Sequence, residues 1–590
     1  MLQSILISNR GEIAVRIIRA CRELGIRSIA VYSDADAEAL HVRLADEAHR
    51  LGAAPVRESY LDLERIVATA RASGAEAIHP GYGLLSESPA FAAAVREAGL
   101  VFIGPSADVI ATMGDKVAAR EVAQRSDVPL LPGSEGTITD PDEALRLAEA
   151  IGYPLVVKAC FGGGGRGMRV VSAPAGLHVA IEEAAREANA AFGRAEVYLE
   201  RYVSHARHVE VQVLGDAHGN IIHLGDRDCS VQRRHQKLIE EAPAPGLSAT
   251  LRAALAEAAV RLARSVGYTS AGTVEFLVDP QHERFYFLEM NTRLQVEHGV
   301  TELVTGVDLV QSQIRIAAGE PLGLSQDEVR LFGHAIQARI AAEDPWEGFR
   351  PAPGRIETLG LPLDPWLRAD FGVESGDVVP GYYDSMFGKL QARGRDRESA
   401  RRRLCVALET LKVEGLPTTA PYLAQVLKQP DFIEVAHDTG SVERCWAPDP
   451  ALRPLPAEEP AQTEESISVE PVSERRTLIA TTTGVLEISV LGRGRPKRPV
   501  RKGGVPGVQS AGARAGSEPV APMDGAVAAV LVEVGDTVEK GAVLAVLEAM
   551  KMEVPVTAPR AGVIEQVLVA RGQVVTRGSL MVALSAAEAA

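Results

Sequence analysis

The sequence predicts an α/β (α+β) protein of several domains, followed by a linker and a small all-β barrel. Three observations predict it: short apolar runs alternate with helical periods near the start, two acidic strand-like segments lie mid-chain, and a glycine-rich repeat lies near the end. Strands that alternate with helices are typical of a doubly wound sheet. Glycine-punctuated strands that repeat are typical of a small barrel.

The first part of the chain begins with a β–α–β pattern. Residues 5–7 are apolar, residues 12–24 have helical periodicity that ends at Gly25, and residues 28–32 form the next apolar run. The alternation continues to about residue 113, which predicts a doubly wound α/β domain. We expect these divisions: 1–113, the doubly wound domain; 114–333, a mixed α/β domain with a glycine-rich loop; 334–447, a further α/β domain; 448–518, a linker; 519–585, the all-β domain.

The linker is predicted from composition. Residues 448–475 are rich in Pro and Glu, and residues 492–519 are rich in Gly, Arg and Lys. Residues 477–491 between them are expected to form a small hairpin that could dock a partner protein. The basic run 493–502 could be a nucleic-acid or targeting patch, but its setting favours a solvated linker.

Composition and charge are typical of a large cytoplasmic enzyme. The 590 residues carry 62 Lys and Arg against 78 Asp and Glu, a net charge of -16, which argues against nucleic-acid binding. The five cysteines form no CxxC pair, so we expect neither a zinc site nor disulfides. A basic leader and an apolar run of about 18 residues are both absent, so we expect no signal peptide and no membrane span.

The repeat near the end of the chain has an offset of 37 residues, as between Ala521 and Ala558. We expect two intertwined hairpin layers related by a pseudo-two-fold axis. Lys551 lies between the halves and is expected on an exposed turn. A tethered cofactor needs such a lysine, because the loaded arm must reach distant sites. The alternative interpretation is a small barrel with an ordinary surface lysine.

A glycine run indicates nucleotide chemistry. The strand-like residues 154–158 precede the glycine-rich residues 162–167, and another strand-like run follows. Glycines allow backbone N–H groups to approach phosphate oxygens closely. The pattern is neither a Rossmann turn nor a Walker loop, and it is what a phosphate-covering lid would look like. Lys158 and Lys116 are candidates to neutralise phosphate charge, although each alone is more often a surface residue.

Two strand-like segments in the middle of the chain carry facing carboxylates. If Val278 pairs with Tyr286, then Glu275 pairs with Glu289 on the same face. Two like charges about 4 Å apart cost about 4 kcal/mol at an effective dielectric of 20. A hard cation, Mg²⁺ or Mn²⁺, would compensate this repulsion.

Polar residues continue at every second position after this pair. They are Asn291, Arg293, Gln295 and Glu297, and an extended segment would place all four on the face that carries Glu289. The alternative is a solvent-facing edge strand. Charges of both signs beside a predicted metal pair favour the floor of an active site.

Several motifs allow a resemblance to be stated. Residues 1 to about 447 resemble biotin carboxylase, an ATP-grasp enzyme, and residues 519–585 resemble the biotinyl/lipoyl-like flattened barrel of a carrier domain. Together they look like the alpha subunit of bacterial, especially actinobacterial, acyl-CoA carboxylases. The matching motifs are Arg-Gly-Glu-Ile-Ala at 10–14, His-Pro-Gly-Tyr-Gly at 79–83, Arg-Arg-His-Gln-Lys at 233–237, Glu-Met-Asn-Thr-Arg-Leu-Gln-Val-Glu-His at 289–298 and Glu-Ala-Met-Lys-Met at 548–552.

The resemblance implies a role for each matched position. ATP would be bound by Lys116, Lys158, Gly164, Gly165, Glu200, Arg201, Tyr202, Val203, His208, Gln232, His235, Glu275 and Glu289. The metal ions would be held by Glu275, Glu289 and Asn291, and bicarbonate by Lys237, Arg293, Gln295 and Val296. Glu297 would be the general base, Arg339 would face the biotin ring, and Lys551 would carry biotin. One departure from the family, Gly299 in place of proline, predicts a looser loop after the base.

The resemblance also implies partners. We expect a biotin protein ligase that modifies Lys551, a separate carboxyltransferase beta subunit, and a homo-oligomer within a hetero-oligomeric complex active in fatty acid biosynthesis. The acyl-CoA pocket would lie on the partner, so the sequence does not decide between acetyl-CoA and propionyl-CoA as the substrate. A carboxylase of the pyruvate, methylcrotonyl-CoA or urea type remains an alternative. Two other interpretations are a non-biotin ATP-grasp ligase with a lipoyl-like carrier, and a silent carrier scaffold.

Overall fold

The structure, a computed structural model, describes most of the chain. The described residues are 1–134, 136–138, 141–160, 168–454, 475–481, 484–490, 518–523, 525–549, 552–575 and 578–586. They fall into two compact units, residues 1–453 with 519–590, and residues 454–518.

The chain begins with a five-stranded parallel sheet in the order β3-β2-β1-β4-β5. Helices connect the strands, which confirms the doubly wound α/β fold predicted from the β–α–β pattern. The elements are β1 Ser4–Ile7, α1 Gly11–Glu23, β2 Arg27–Ser33, α2 Leu40–Leu44, β3 Glu47–Gly52, α3 Leu63–Ala72, β4 Ala77–His79, α4 Pro89–Glu97 and β5 Val101–Phe102.

A three-stranded antiparallel sheet, ordered β7-β6-β8, follows a group of helices. The elements are α5 Ala107–Gly114, α6 Lys116–Arg125, α7 Pro141–Ile151, β6 Leu155–Ala159, β7 Met168–Val171, α8 Leu177–Phe192 and β8 Val197–Arg201. A strand lies on each side of the glycine-rich run, β6 before it and β7 after it, as the glycine pattern predicts. The predicted lid itself, residues 162–167 with Gly164 and Gly165, lies outside the described residues.

An eight-stranded sheet in the order β13-β12-β9-β10-β11-β14-β21-β19 forms the floor of a large cavity. Its strands and first helices are β9 Arg207–Gly215, β10 Ile221–Arg233, β11 Gln236–Ala242, α9 Ala249–Ser265, β12 Ser270–Asp279, β13 Arg284–Asn291, α10 His298–Thr305, α11 Leu309–Ala317 and β14 His334–Ala341. The remaining elements of this region are β15 Glu343–Asp344, β16 Arg350–Pro351, β17 Gly354–Arg355, β18 Thr358–Gly360, β19 Leu367–Phe371, β20 Val378–Val379, β21 Met386–Gly394, α12 Arg397–Thr410, β22 Lys412–Glu414, α13 Ala420–Val426, α14 Pro430–Ile433 and α15 Ser441–Cys445.

The pairing of β12 with β13 differs from the predicted register at one end. Val278 pairs with Phe285 and not with Tyr286, yet Glu275 pairs with Glu289 as predicted. A β-bulge between these pairs places one extra residue in β13. Without the bulge, the one-residue shift at Val278 would continue along the strand pair and turn Glu289 to the other face. The bulge compensates the shift, so Glu275 and Glu289 still face each other.

Two short strands form an antiparallel hairpin in the second unit. They are β23 Arg475–Thr481 and β24 Gly484–Val490, paired from Arg475 with Val490 to Thr481 with Gly484.

The repeat forms two sheets that exchange strands. The strands are β25 Gly525–Val530, β26 Thr537–Val538, β27 Val543–Ala549, β28 Met552–Thr557, β29 Gly562–Val567, β30 Val574–Val575 and β31 Val582–Ala586. β25 of the first half pairs with β30 of the second, and β26 pairs with β29, which confirms the intertwined barrel. β27 and β28 pair up to Ala549 and Met552, and Lys551 lies outside the described residues.

Glycines enable the tight turns of this barrel. The equivalent glycines of the two halves have positive φ values, +99° at Gly535 and +85° at Gly572, +91° at Gly541 and +84° at Gly578. Residues other than glycine rarely adopt this backbone conformation, which explains why the repeat retains glycine there.

Over the whole described part of the chain, no helix has the length and apolarity that a bilayer crossing demands.

Candidate active site

A cavity of about 1660 Å³ lies above the eight-stranded sheet. It brings together predicted site residues from Lys116 to Arg339, which are 223 positions apart in the sequence. The predicted site residues that line it are Lys116, Lys158, Arg201, Tyr202, Val203, His208, Gln232, His235, Lys237, Glu275, Glu289, Asn291, Arg293, Gln295, Val296, Glu297 and Arg339. Glu200 lies behind the lining, and Gly164, Gly165 and Lys551 are outside the described residues.

Glu297 lines the cavity and is 1% exposed. It is the residue immediately before α10, where the chain turns from β13 into the helix. Lys237 Nζ donates to Oε1 at 2.6 Å, and Arg339 Nη2 donates to Oε2 at 2.9 Å. Burial alone would raise the pKa of Glu297, but the charges of Lys237 and Arg339 outweigh burial and lower it.

Lys237, on β11, connects three carboxylates. Its Nζ lies 2.7 Å from Glu210 Oε2, 2.9 Å from Glu275 Oε1 and 2.6 Å from Glu297 Oε1. Burial disfavours the ammonium, but the Cys229 thiol and these carboxylates raise the pKa of Lys237 well above its usual value. The side chain therefore keeps its positive charge at the deepest part of the cavity.

Glu275 and Glu289 differ in their surroundings although they face each other. Glu275 lies 3.0 Å from His208 Nε2 and accepts hydrogen bonds from Lys237 and from the Asn291 and Gln295 amides at 2.9 and 2.8 Å. Burial would raise the pKa of Glu275, but Lys237 and His208 lower it. Burial and the Glu275 charge raise the pKa of Glu289.

This donor set fits a hard divalent cation. The oxygens of Glu275, Glu289 and the Asn291 side chain are of the type that Mg²⁺ and Mn²⁺ prefer. Burial, and after it the Glu275 charge, raise the pKa of Glu289, so a cation bound between the two carboxylates would stabilise the ionised form.

Cations line the part of the cavity next to the small sheet. Lys158 is 5% exposed, and its Nζ lies 2.5 Å from Glu200 Oε2. Arg120 also pairs with Glu200, so this carboxylate holds two cations in place. Glu200 itself does not line the cavity. Lys116 begins α6; burial lowers its pKa, and Glu289 opposes that shift. Phosphate groups would find two ammonium groups at this end.

The segment after Asn291 is not extended, which corrects the prediction of a continuing strand. β13 ends at Asn291, and the chain turns so that Glu297 can precede α10. Arg293, Gln295 and Glu297 nevertheless line the same cavity. Arg293 donates to the Asn291 side chain at 2.9 Å and to Glu87 Oε2 at 2.9 Å.

Arg339, on β14, lies beside β11 and contacts two carboxylates. Its Nε donates to Glu240 Oε1 at 2.5 Å, and its Nη2 donates to Glu297 Oε2.

The turn between β10 and β11 places His235 over the cavity with a φ of +65°, and burial lowers the pKa of His235. Tyr202 is 39% exposed at the rim.

Sequence reasoning missed the carboxylates and the arginine beneath the cavity. Glu210, Glu240 and Arg227 are all fully buried. Arg227 bonds to Glu210, to the Gln295 amide oxygen at 3.0 Å and to three further side chains. A signal existed, because β9 reads His-Val-Glu-Val-Gln-Val with polar groups at every second position of an otherwise apolar strand.

The cavity combines three chemical environments in one space. Two lysines lie at one end, an oxygen-rich pair suited to a metal follows, and a deep carboxylate lies between a lysine and an arginine. Such an arrangement can bind a polyphosphate beside a small anion and remove a proton from that anion.

Comparison with known protein families agrees with this geometry. Residues 1–110 match the biotin carboxylase N-terminal domain, residues 115–325 match the ATP-binding domain of the carbamoyl-phosphate synthase L chain, and residues 337–444 match the biotin carboxylase C-terminal domain. Residues 518–584 match the biotin-requiring enzyme domain.

Individual proteins are similar over most of the chain. A biotin-dependent acyl-coenzyme A carboxylase alpha3 subunit from Mycobacterium leprae is 45% identical over 572 residues, which cover 94% of both chains. A pyruvate carboxylase subunit from Methanothermobacter thermautotrophicus is 48% identical over 432 residues, 73% of this chain and 88% of the relative.

A solved structure of similar fold contains ligands. The biotin carboxylase domain dimer of Hydrogenobacter thermophilus 2-oxoglutarate carboxylase, in complex with MgADP, ADP and bicarbonate, is 47% identical with a TM-score of 0.73. The match covers 75% of this chain and 97% of that one. Since three consecutive family models and these relatives span the region that builds the cavity, the chain belongs to the biotin carboxylase family of ATP-dependent ligases and carries a biotin-requiring domain.

Proposed function

We propose that this protein uses ATP and bicarbonate to carboxylate biotin attached to Lys551, as the alpha subunit of an acyl-CoA carboxylase. Transfer of the carboxyl group to acetyl- or propionyl-CoA takes place on a separate beta subunit. The observation that carries the proposal is Glu297, a buried carboxylate held between Lys237 and Arg339 beside a carboxylate pair suited to a metal.

Glu297 acts as the general base. In the free protein its pKa is lowered, because Lys237 and Arg339 both donate to it. Bicarbonate is an anion. When it binds to Lys237 and Arg339, these cations interact less strongly with Glu297, and the pKa of Glu297 therefore rises. A Glu297 oxygen then takes the bicarbonate proton, and the freed oxygen attacks the γ-phosphorus of ATP while ADP leaves.

Other side chains bind and orient the reactants. Lys116, Lys158 and His208 contact the phosphates of ATP, and the adenine lies near Tyr202 and Val203. Glu200 supports this site indirectly by holding Lys158. Bound Mg²⁺ or Mn²⁺ would screen the phosphate charge during transfer, held by Glu275, Glu289 and Asn291.

The small anion and biotin share the deep end of the cavity. Arg293, Gln295 and the backbone of Val296 join Lys237 around bicarbonate. Arg339 stabilises the negative oxygen that forms on the ureido group of biotin when its nitrogen loses a proton. The Glu240 carboxylate fixes the Arg339 guanidinium at 2.5 Å, so its direction is set before biotin arrives.

The acyl-CoA assignment rests on chain organisation. The similarity to the Mycobacterium leprae alpha3 subunit covers 94% of both chains and so includes the carrier domain. The pyruvate carboxylase relative matches 73% of this chain. This organisation requires two partners, a biotin protein ligase and a carboxyltransferase beta subunit.

The proposal is tested by measuring ATP cleavage that depends on bicarbonate and free biotin. Lys551→Ala should lose biotin attachment and acyl-CoA carboxylation yet keep carboxylation of free biotin, because a tether takes no part in ATP chemistry. Lys540→Ala, an exposed lysine of the same domain, is the matched control and should keep both. Loss of bicarbonate-dependent ATP cleavage in Lys551→Ala would contradict separate carboxylase and carrier roles.

The substrate is tested with the partner present. The complex of this chain with its beta subunit should be purified, then assayed with acetyl-CoA, propionyl-CoA, methylcrotonyl-CoA, pyruvate and urea. Turnover of a short acyl-CoA alone supports the proposal, and turnover of pyruvate alone would assign the chain to the pyruvate type.

A further inference from the structure

Strand β21 runs directly beneath the turn that carries Glu297. Its residue Lys389 is 0% exposed, and Lys389 Nζ donates to the Val296 carbonyl at 2.7 Å. The Val296 carbonyl and the Glu297 N–H belong to one planar peptide group. A bond that fixes this carbonyl therefore fixes the direction in which the chain enters Glu297.

The same ammonium also contacts α1, another element that lines the cavity. Lys389 Nζ lies 3.2 Å from Glu12 Oε1, and Glu12 is 4% exposed at the start of α1. The Tyr82 hydroxyl donates to the same Glu12 oxygen. Tyr82 and Val296 both line the cavity. Lys389 therefore connects two lining residues, Val296 directly and Tyr82 through Glu12.

Burial makes this link stiff. Taking an ammonium out of water costs several kcal/mol unless a partner compensates it. Within the described part of the chain, the ion-pair partner of Lys389 is Glu12. The lysine therefore has little freedom to leave its position between Glu12 and Val296.

A second contact from β21 supports the same turn. Gln391 lies two residues after Lys389 and so points to the same face of the strand. Its Nε2 donates to Asp370 at 2.9 Å, and a Cβ atom added at Gly299 would lie 1.9 Å from its Oε1. Gly299 was expected to loosen the loop after the base; the structure instead fills the space above this glycine with the Gln391 amide.

We propose that Lys389 is a positioning residue for bicarbonate: it holds the Val296–Glu297 peptide in place and ties it through Glu12 to Tyr82. Lys389 touches no reactant and acts through Val296 and Glu297. The inference rests on the proposed function, since Glu297 is the group whose position matters. Misplacing a reacting group by about 1 Å can cost about 10²-fold in rate.

The test separates positioning from simple charge compensation. Lys389→Met keeps the length of the side chain but leaves Glu12 buried and unpaired, so this variant alone is expected to lose stability. The double variant Lys389→Met/Glu12→Gln removes that charge, and glutamine still accepts the Tyr82 hydrogen bond. We expect its melting temperature to return toward wild type while the Val296 carbonyl stays without its donor.

The kinetic result should be selective. In the double variant we expect kcat to fall and KM for bicarbonate to rise, so that kcat/KM for bicarbonate decreases by about tenfold or more. KM for ATP should change by less than about twofold. Lys428→Met, at a lysine 59% exposed, is the control and should match wild type. Wild-type bicarbonate kinetics in the folded double variant would overturn the inference. Wild-type protein without bicarbonate-dependent ATP cleavage would instead overturn the proposed function.

Discussion

At the scale of single residues, the charge around Glu297 explains both its stability and its chemistry. A carboxylate 1% exposed persists only because Lys237 and Arg339 donate to it. Under the proposed function, the same cations give up part of that interaction when bicarbonate binds. Glu297 would then be held as a paired, weakly basic carboxylate until the substrate enters.

Replacing this base should affect turnover and not nucleotide binding. Glu297→Gln keeps the shape of the side chain but cannot take a proton, so we expect a loss of about 10²-fold or more in ATP cleavage with bicarbonate and biotin. Nucleotide affinity, measured by calorimetry, should stay close to wild type because Lys116 and Lys158 are unchanged. Unchanged turnover would show that another group accepts the proton.

Sequence reasoning found the side chains that line the cavity and missed those beneath it. Glu297 and Lys237 lie in short motifs that could be recognised from the sequence alone, and the structure places Lys237 and Arg339 each within 3 Å of Glu297. Glu210 and Arg227 lie in separate strands, and their pairing depends on a sheet register that the sequence does not specify. Buried ion pairs of this kind emerge only from tertiary packing.

At the scale of elements, neighbouring strands set the spacing of the site. The bulge in β13 makes Glu289 face Glu275, although the far end of the strand pair is shifted by one residue. Sequence reasoning predicted the facing carboxylates but assumed a regular ladder. A bulge has no strong sequence signal, because it needs one extra residue and no particular side chain.

The contact between β21 and α10 gives a test at this scale. Gly299→Ala should lower stability by about 1–3 kcal/mol, the usual cost of overpacking, because the new Cβ meets the Gln391 amide. Gly299→Ala/Gln391→Ala should recover most of that loss, since the smaller side chain vacates the space. Thermal unfolding of the two variants and of Gln391→Ala alone measures the coupling. A loss in the double variant equal to the sum of the two single losses would mean that Gly299 and Gln391 do not interact.

At the scale of the whole molecule, the apolar core is divided among separate clusters. One cluster lies entirely between Ala521 and Leu584, and the others lie within the first 453 residues. The biotin-requiring domain therefore has a hydrophobic core of its own. Sequence reasoning expects a separate domain there because the repeat and the linker composition both mark it.

Buried histidines should make the stability of the whole chain fall in mild acid. Burial lowers the pKa of His41 to about 4 and the pKa of His79 to about 3, so both are neutral in the folded protein above those values. In the unfolded chain they bind protons below about pH 6.5. The unfolded state then holds more protons, and stability decreases as pH falls from about 6.5 to 4, by up to about 1.4 kcal/mol per pH unit for each histidine.

Thermal unfolding between pH 7 and pH 4 measures this dependence. His41→Gln should flatten the fall in melting temperature, whereas His178→Gln, an exposed histidine on α8, should leave its slope unchanged. An identical slope in wild type and His41→Gln would show that His41 does not control the acid response.

The exchange of strands in the carrier barrel has a consequence for the timing of modification. β25 pairs with β30 and β26 pairs with β29, so the first half of the repeat is complete only after the second half has left the ribosome. A nascent chain that ends soon after Thr557 would contain Lys551 but not the complete barrel. A ligase that recognises the folded barrel would therefore act on finished carriers and leave truncated chains without biotin.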